Sequence, residues 1–346
     1  MDDPLVSAPP ADPQPPSRGG GPARLWPLAV VAGVIAAAGL ALLQLSRRQV
    51  PLAVGMISWP GYEYLYLAEQ KGLDRPFGLQ LSVRQYSSLV DQRRAFERGD
   101  VPVMATTIPE AIAVCQELPR RCPQLFLVLD ESAGADRIIA RADISSPAGL
   151  IGRRIGLERT VLGEYLLLRS FGERQPELRR DLQLRFDGPV ALVQALREGE
   201  LDAIVTYSPF DAPLLDDPRY RVLFSSRQIP GEVVDVLAVD PAYARRHGRE
   251  LKALVHIWWT ARDHARRFPT EARALMAQRQ QLDPGEFEAT ERGLNYPGPD
   301  QQARLLAAAG PLARSMARIA GQMQQAGLIS PGVPMPSLSL DHLEAP

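Results

Sequence analysis

Between residues 50 and 240 the chain alternates short apolar runs with longer amphipathic ones, separated by glycine, proline or a capping residue. Residues 52–57 are apolar and end on Ser58-Trp59-Pro60-Gly61, which predicts a buried strand and then a turn. From Tyr62 the period becomes helical: Leu65, Ala68 and Glu69 fall in step, and Gly72 is placed to end the helix after Lys71. The alternation repeats as a strand over 79–86, a helix capped by Ser88 and stopped by Gly99, and a strand over 101–105 ending on Thr106-Thr107. A helix from Pro109 and a strand over 125–129 follow. Later strands lead into Glu158 and cover 182–186, 201–207 and 233–239, with helices behind Thr160 and over 190–197. This strand–helix order predicts an α/β protein built on a parallel, doubly wound sheet. Helices over 249–268 and 303–328 close the pattern. The first carries Leu251, Leu254, Val255, Trp258 and Ala265 on one face, so Trp258 reads as core while Trp259 lies off the stripe.

The two ends depart from that pattern. Residues 1–24 are rich in proline and glycine without an apolar period and are expected to be disordered. Residues 25–45 carry no charge, and as a helix they extend about 31 Å, enough for a hydrocarbon core of about 30 Å. Gln44-Leu45-Ser46-Arg47-Arg48 follows where a small-residue cleavage site would stand, and the first cysteine is Cys115. A retained single-span anchor is therefore expected, rather than a cleaved leader or a lipid-modified cysteine. Arg18 and Arg24 before the span balance Arg47 and Arg48 after it, so charge does not set its orientation. Residues 331–346 are proline-rich and expected to be irregular.

Composition removes several function classes. A net charge of −1 gives no electrostatic footprint for nucleic acid. His247, His256, His264 and His342 lack ligand spacing, so neither metal nor cofactor is expected. The chain has no Gly-x-Ser-x-Gly elbow, phosphate loop or His-Glu-x-x-His helix. Cys115 and Cys122 read as a local disulfide if the protein lies outside the cytosol, and otherwise as buried thiols.

Four segments carry a family resemblance. They are an apolar strand with Trp59-x-Gly61-Tyr62 and a helix ending Ala68-Glu-x-Lys-Gly-Leu73; Ser132-x-Gly-Ala-Asp136 before Ile138-Ile139; a helical turn and strand from Ser145 to Glu158; and Gly199-x-Leu-Asp-Ala203, an apolar strand and Tyr207-x-Pro209. Their order and spacing over roughly residues 50–330 resemble solute-binding proteins of ABC importers, in the nitrate/sulfonate/taurine/thiamine-precursor family. The resemblance implies a two-lobed, periplasmic-binding-protein-like (type II) α/β fold, preceded here by one N-terminal transmembrane helix. Lobe 1 would comprise 50–135 and 236–330 and lobe 2 would comprise 136–235, with crossings near 135–140 and 231–236. It also implies a non-enzymatic, monomeric protein and, for the anchor expected at 25–45 in the cytoplasmic membrane, a globular part on the periplasmic side. Such a protein captures a small organic solute or oxyanion and delivers it to an ABC permease and its ATPase.

Strand-end positions then give the expected ligand contacts: Trp59, Tyr62 and Glu63; Thr106 and Thr107; Ser132; Glu158, Thr160, Val161, Gly163 and Tyr207; and Asp235. Each of these residues could equally cap its own turn. Asp130 and Asp136 read as acceptors that brace the hinge. Acids and aromatics outnumber bases in this set, which favours a cation or a donor-rich ring. Arg159 and the helix start at Thr160 could instead hold an anion, so a zwitterion or amino-sulfonate suits both halves. Two other classes are a ligand-sensing ectodomain with a signalling partner and a thiamine-pyrimidine-synthase-like enzyme. The latter carries a cysteine-rich motif that two separated cysteines cannot supply.

Overall fold

A computed structural model describes residues 49–172 and 181–343. The expected tail and membrane span at 1–24 and 25–45 lie outside the described residues. Among the described residues no helix is long and apolar enough to cross a membrane.

The described strands form two sheets. The first half of the chain runs β1 (Val50–Met56), α1 (Glu63–Lys71), β2 (Leu79–Gln85), α2 (Leu89–Arg98), β3 (Val103–Thr107), α3 (Ile108–Glu117) and β4 (Gln124–Ser132). The chain then crosses into β5 (Asp136–Arg141), β6 (Arg154–Leu157), α4 (Val161–Ser170), β7 (Gln183–Phe186), α5 (Pro189–Arg197), β8 (Ala203–Tyr207) and β9 (Tyr220–Ser225). It returns as β10 (Val234–Val239) and continues through α6 (Gly248–Arg267), α7 (Pro269–Arg279), α8 (Pro284–Glu291), β11 (Leu294–Asn295), α9 (Pro311–Gln325) and β12 (Ser337–Leu338). The first sheet has the order β11-β4-β10-β3-β1-β2, with β12 beside β4; the second has the order β7-β6-β8-β5-β9. This is a two-lobed α/β architecture with two connections between the sheets.

Neither sheet is wholly parallel, in contrast to the expectation from strand–helix alternation. β1 is parallel to β2 and β3, but β10 runs antiparallel to β3 and β4. The chain leaves the first sheet at the carboxyl end of β4 and re-enters at that same end, so the returning strand must point the other way. β5 is antiparallel to β8 and β9 in the second sheet for the same reason.

Helix caps fix where the strand ends point. Ser88, Thr107 and Thr160 accept the N–H of Asp91, Glu110 and Gly163, so helix starts gather along the edge facing the other lobe. Buried Gln92 donates to the carbonyls of Gly55 (2.8 Å) and Ala105 (2.6 Å), which ties β1 to β3 beneath that edge. Gln302 clasps β4, donating to Val128 O at 2.9 Å and accepting its N–H at 3.0 Å.

The C-terminal part brings three further findings. The helical region expected through 303–328 consists of two helices: Pro299–Leu305 stops, and α9 starts after Gly310, where a Cβ would lie 2.5 Å from Arg304 O. Trp258 is fully buried, with Tyr64 edge-on at 5.5 Å. The tail expected to be irregular pairs β12 with β4 and buries His342 edge-on to Phe126, because β4 otherwise has an open edge there. Cys115 and Cys122 are joined as a disulfide.

Candidate functional site

A cavity lies where the ends of the two sheets meet. Its walls are Trp59, Tyr62, Thr107, Tyr207 and Asp235, joined by Ile57, Leu89, Asp136 and Leu162. It holds about 20 Å³ of open space, about what a single water needs. A larger solute can enter only if the lobes part or side chains repack.

The turn after β1 supplies the aromatic wall. Gly61 allows this turn to lie on β4: a Cβ there would overlap the Asp130 carboxyl and fall 2.7 Å from Trp59 Nε1. The Trp59 Nε1–H donates to both Asp130 oxygens, at 3.3 and 3.4 Å, and the Tyr62 hydroxyl donates to Asp235. Across the cavity Tyr207 stands edge-on to Trp59 at 6.1 Å and is backed by Phe210 at 5.2 Å.

Carboxyls crowd this wall. Asp130 and Asp235 are paired in the β4–β10 register, and Asp136 is paired with Tyr207 in the β5–β8 register. Burial is the main cause that raises Asp130 to about 7, against the Trp59 hydrogen bond that lowers it. Burial raises Asp136 to about 6 and Glu158 to about 7. Burial, reinforced by Asp130, also holds Asp235 well above the usual carboxylate range. Oδ2 of Asp136, Oδ2 of Asp235 and Oε1 of Glu158 are buried and receive no hydrogen bond from another described residue. Among the described residues, no Lys, Arg or His lines the cavity.

The remaining expected contacts sit elsewhere, each for a local reason. Glu63 points away into the first lobe, where it pairs with Arg279 and accepts from Gln280 at 2.8 Å. Thr106 is buried on the face of β3 opposite Thr107, since neighbouring strand residues alternate. Ser132 meets Ser226 Oγ at 2.8 Å and accepts the Asp136 N–H at 3.2 Å, so it pins one connection to the other. Glu158 lies behind the wall, against the Tyr207 hydroxyl. The Thr160 hydroxyl is spent on capping, and Gly163 leaves room for that hydroxyl and for Glu158 O rather than for a ligand. Val161 is half-buried, and the next residue, Leu162, forms the wall in its place. Arg159, the expected counter-charge for an anion, stacks 4.1 Å over the Phe186 ring. Asp136, expected to brace the hinge, faces the cavity instead. Its signal in the sequence was only its place at a strand start.

No family model matches the chain. It is 26% identical over 182 residues to the taurine-binding periplasmic protein of Escherichia coli K12, a match covering 51% of this chain and 54% of that protein. The chain thus spans about half the length of that relative. The alkanesulfonate-binding protein SsuA of Xanthomonas axonopodis pv. citri, solved bound to MOPS, superposes with a TM-score of 0.66 at 16% identity, covering 85% of this chain and 98% of that one. The periplasmic aliphatic sulphonate-binding protein SsuA of Escherichia coli gives 0.64 at 17%, covering 82% and 95%.

Proposed function

We propose that this chain, which belongs with the ABC-importer solute-binding proteins of the taurine and sulfonate type, captures a small cationic or N–H-rich solute between its lobes and delivers it to an ABC permease. It is a binder and not an enzyme. The reading rests on one observation: two buried carboxylate oxygens, Oδ2 of Asp136 and Oδ2 of Asp235, lack a donor in a cavity walled by Trp59, Tyr62 and Tyr207. A buried acceptor without a donor costs about 1–3 kcal/mol, and a carboxylate costs more. A solute that brings N–H groups or positive charge removes that cost only when both lobes enclose it. The aromatic faces add cation–π attraction. Closure is then selected because the solute interacts better with the closed form. In this reading residues 25–45 tether the globular part to the periplasmic face of the membrane.

The test is calorimetry and thermal shift on the full chain with alkylamines, quaternary ammonium ions, amidines, aminopyrimidines, alkanesulfonates and nitrate. A true ligand at a hundredfold its Kd stabilises by about 2.7 kcal/mol. A response confined to the nitrogen bases and cations supports the reading, whereas a response confined to sulfonates or nitrate overturns it. Retention of the chain in carbonate-washed membranes tests the tether separately.

A further inference from the structure

The first turn of α4 presents the N–H groups of Val161, Leu162 and Gly163, which the helix itself cannot satisfy. Thr160 takes the Gly163 N–H at 3.0 Å. The other two are taken from the opposite lobe. Leu162 N–H donates to Glu110 Oε1 at 3.0 Å, and Val161 N–H acts on the same carboxyl. Glu110 stands in the first turn of α3 and is 1% exposed, with Arg93 Nη1 at 3.4 Å from its other oxygen. A helix N-terminus with free amides attracts anions, so a carboxylate of the chain itself occupies the position an anionic solute would seek. Leu162, whose N–H Glu110 accepts, forms part of the cavity wall, and Glu110 stands directly behind it. Burial lifts the Glu110 carboxyl above its ordinary range, while Arg93 and the two amides hold it down.

We infer that Glu110 is a specificity-determining residue: a built-in anion on the α4 N-terminus that bars anionic groups from the cleft. The inference deepens the reading of the cleft as the solute site and rests on it. It accounts for a sulfonate-binder fold whose cavity is lined by acids: the end of the cleft suited to an anion is already filled from within. Removing the carboxylate frees two amides and Arg93 beside a wall of acids, an arrangement that suits taurine, with its sulfonate on α4 and its ammonium towards Asp136 and Asp235.

The experiment compares the full wild-type chain with Glu110→Ala and Glu110→Gln by calorimetry and thermal shift, using taurine, sodium acetate and an alkylamine as probes. Glu110→Ala should bind taurine at least tenfold more tightly than wild type, with acetate competing and restoring part of the lost melting temperature in the variant alone. Glu110→Gln keeps the volume and loses the charge; it should show a smaller gain, and it decides the matter if Glu110→Ala fails to fold. Equal taurine affinity in wild type and the folded variants overturns the inference. If alkylamines bind wild type and no variant gains taurine, the inference about Glu110 falls and the cationic-solute reading stands. If no amine binds wild type but Glu110→Ala gains taurine, the reverse holds.

Discussion

Asp130 and Asp235 stand opposite one another on neighbouring antiparallel strands, at the points where the chain leaves and re-enters the first sheet. Each carries a partner from the turn after β1, Trp59 for Asp130 and Tyr62 for Asp235. The aromatic wall is thereby fixed to both connections, and any change in the charge of the pair reaches hinge and cavity together. Two like charges this close and this buried cannot both ionise cheaply, so the pair retains a proton, which the cation proposed above as solute would replace.

The pH dependence follows from the sign of these shifts. Asp130 is raised to about 7, Asp136 to about 6 and Glu158 to about 7, and Asp235 is raised as well. An acid with a raised folded pKa contributes stability that is complete below its unfolded pKa of about 4 and is lost as pH rises through the folded value. The melting temperature should therefore fall between about pH 4 and pH 7, and Asp130→Asn should flatten that slope. Affinity for a cationic solute should rise over the same interval, because protons compete with it. A melting temperature that climbs across this range would contradict the assignment.

Glu63 is assigned to stability rather than to binding. Its carboxyl and the Arg279 side chain are 0% and 8% exposed, so removing one strands the other. Glu63→Ala should cost about 3–5 kcal/mol in urea unfolding. Solute affinity of the folded variant should remain within about twofold of wild type, below 1 kcal/mol. A tenfold loss of affinity at unchanged stability would return Glu63 to the site.

This contrast marks how far local pattern reaches. Trp59, Tyr62, Thr107, Tyr207 and Asp235 were legible because each stands where a strand's period gives way to a turn or helix, and in an α/β sheet those ends border the crevice. Glu63 stands at such a point too, but its partner is 216 residues away and leaves no mark near residue 63. Asp136, Leu89 and Leu162 enter the cavity through the meeting of two sheets, which no periodicity within one strand encodes. The antiparallel returns β5 and β10 were hidden for the same reason: an apolar run does not reveal its direction. Caps are local chemistry, and Ser88 and Thr160 were read directly.

The Cys115–Cys122 bond should affect stability alone. It closes a loop with a sequence separation of 7, for which chain entropy gives about 2–3 kcal/mol. A Cys115→Ser/Cys122→Ser double variant should lose about that much in denaturant unfolding. Its solute affinity should match wild type, since neither residue borders the cavity. A loss of binding with stability intact would mean that the end of α3 communicates with the cleft.

Gly61 offers the sharpest test of the cavity's construction, because Gly78 supplies a control of the opposite kind. At Gly61 an added Cβ would overlap the Asp130 carboxyl and the Trp59 indole nitrogen, whereas at Gly78, with φ of +71°, it would meet nothing within 4 Å. Gly78→Ala should cost about 1 kcal/mol through its left-handed backbone and leave binding untouched. Gly61→Ala must push the turn off β4 or turn the Asp130 carboxyl aside, at about 1–3 kcal/mol of overpacking. Because Trp59 donates to that carboxyl, the aromatic wall moves with it, and solute affinity should fall at least tenfold. Near-ultraviolet circular dichroism should report the displaced indole in Gly61→Ala and not in Gly78→Ala. If both variants lose similar stability and both keep wild-type affinity, the turn does not rest on Asp130 and the donor-poor acids lose the aromatic frame that makes them a site.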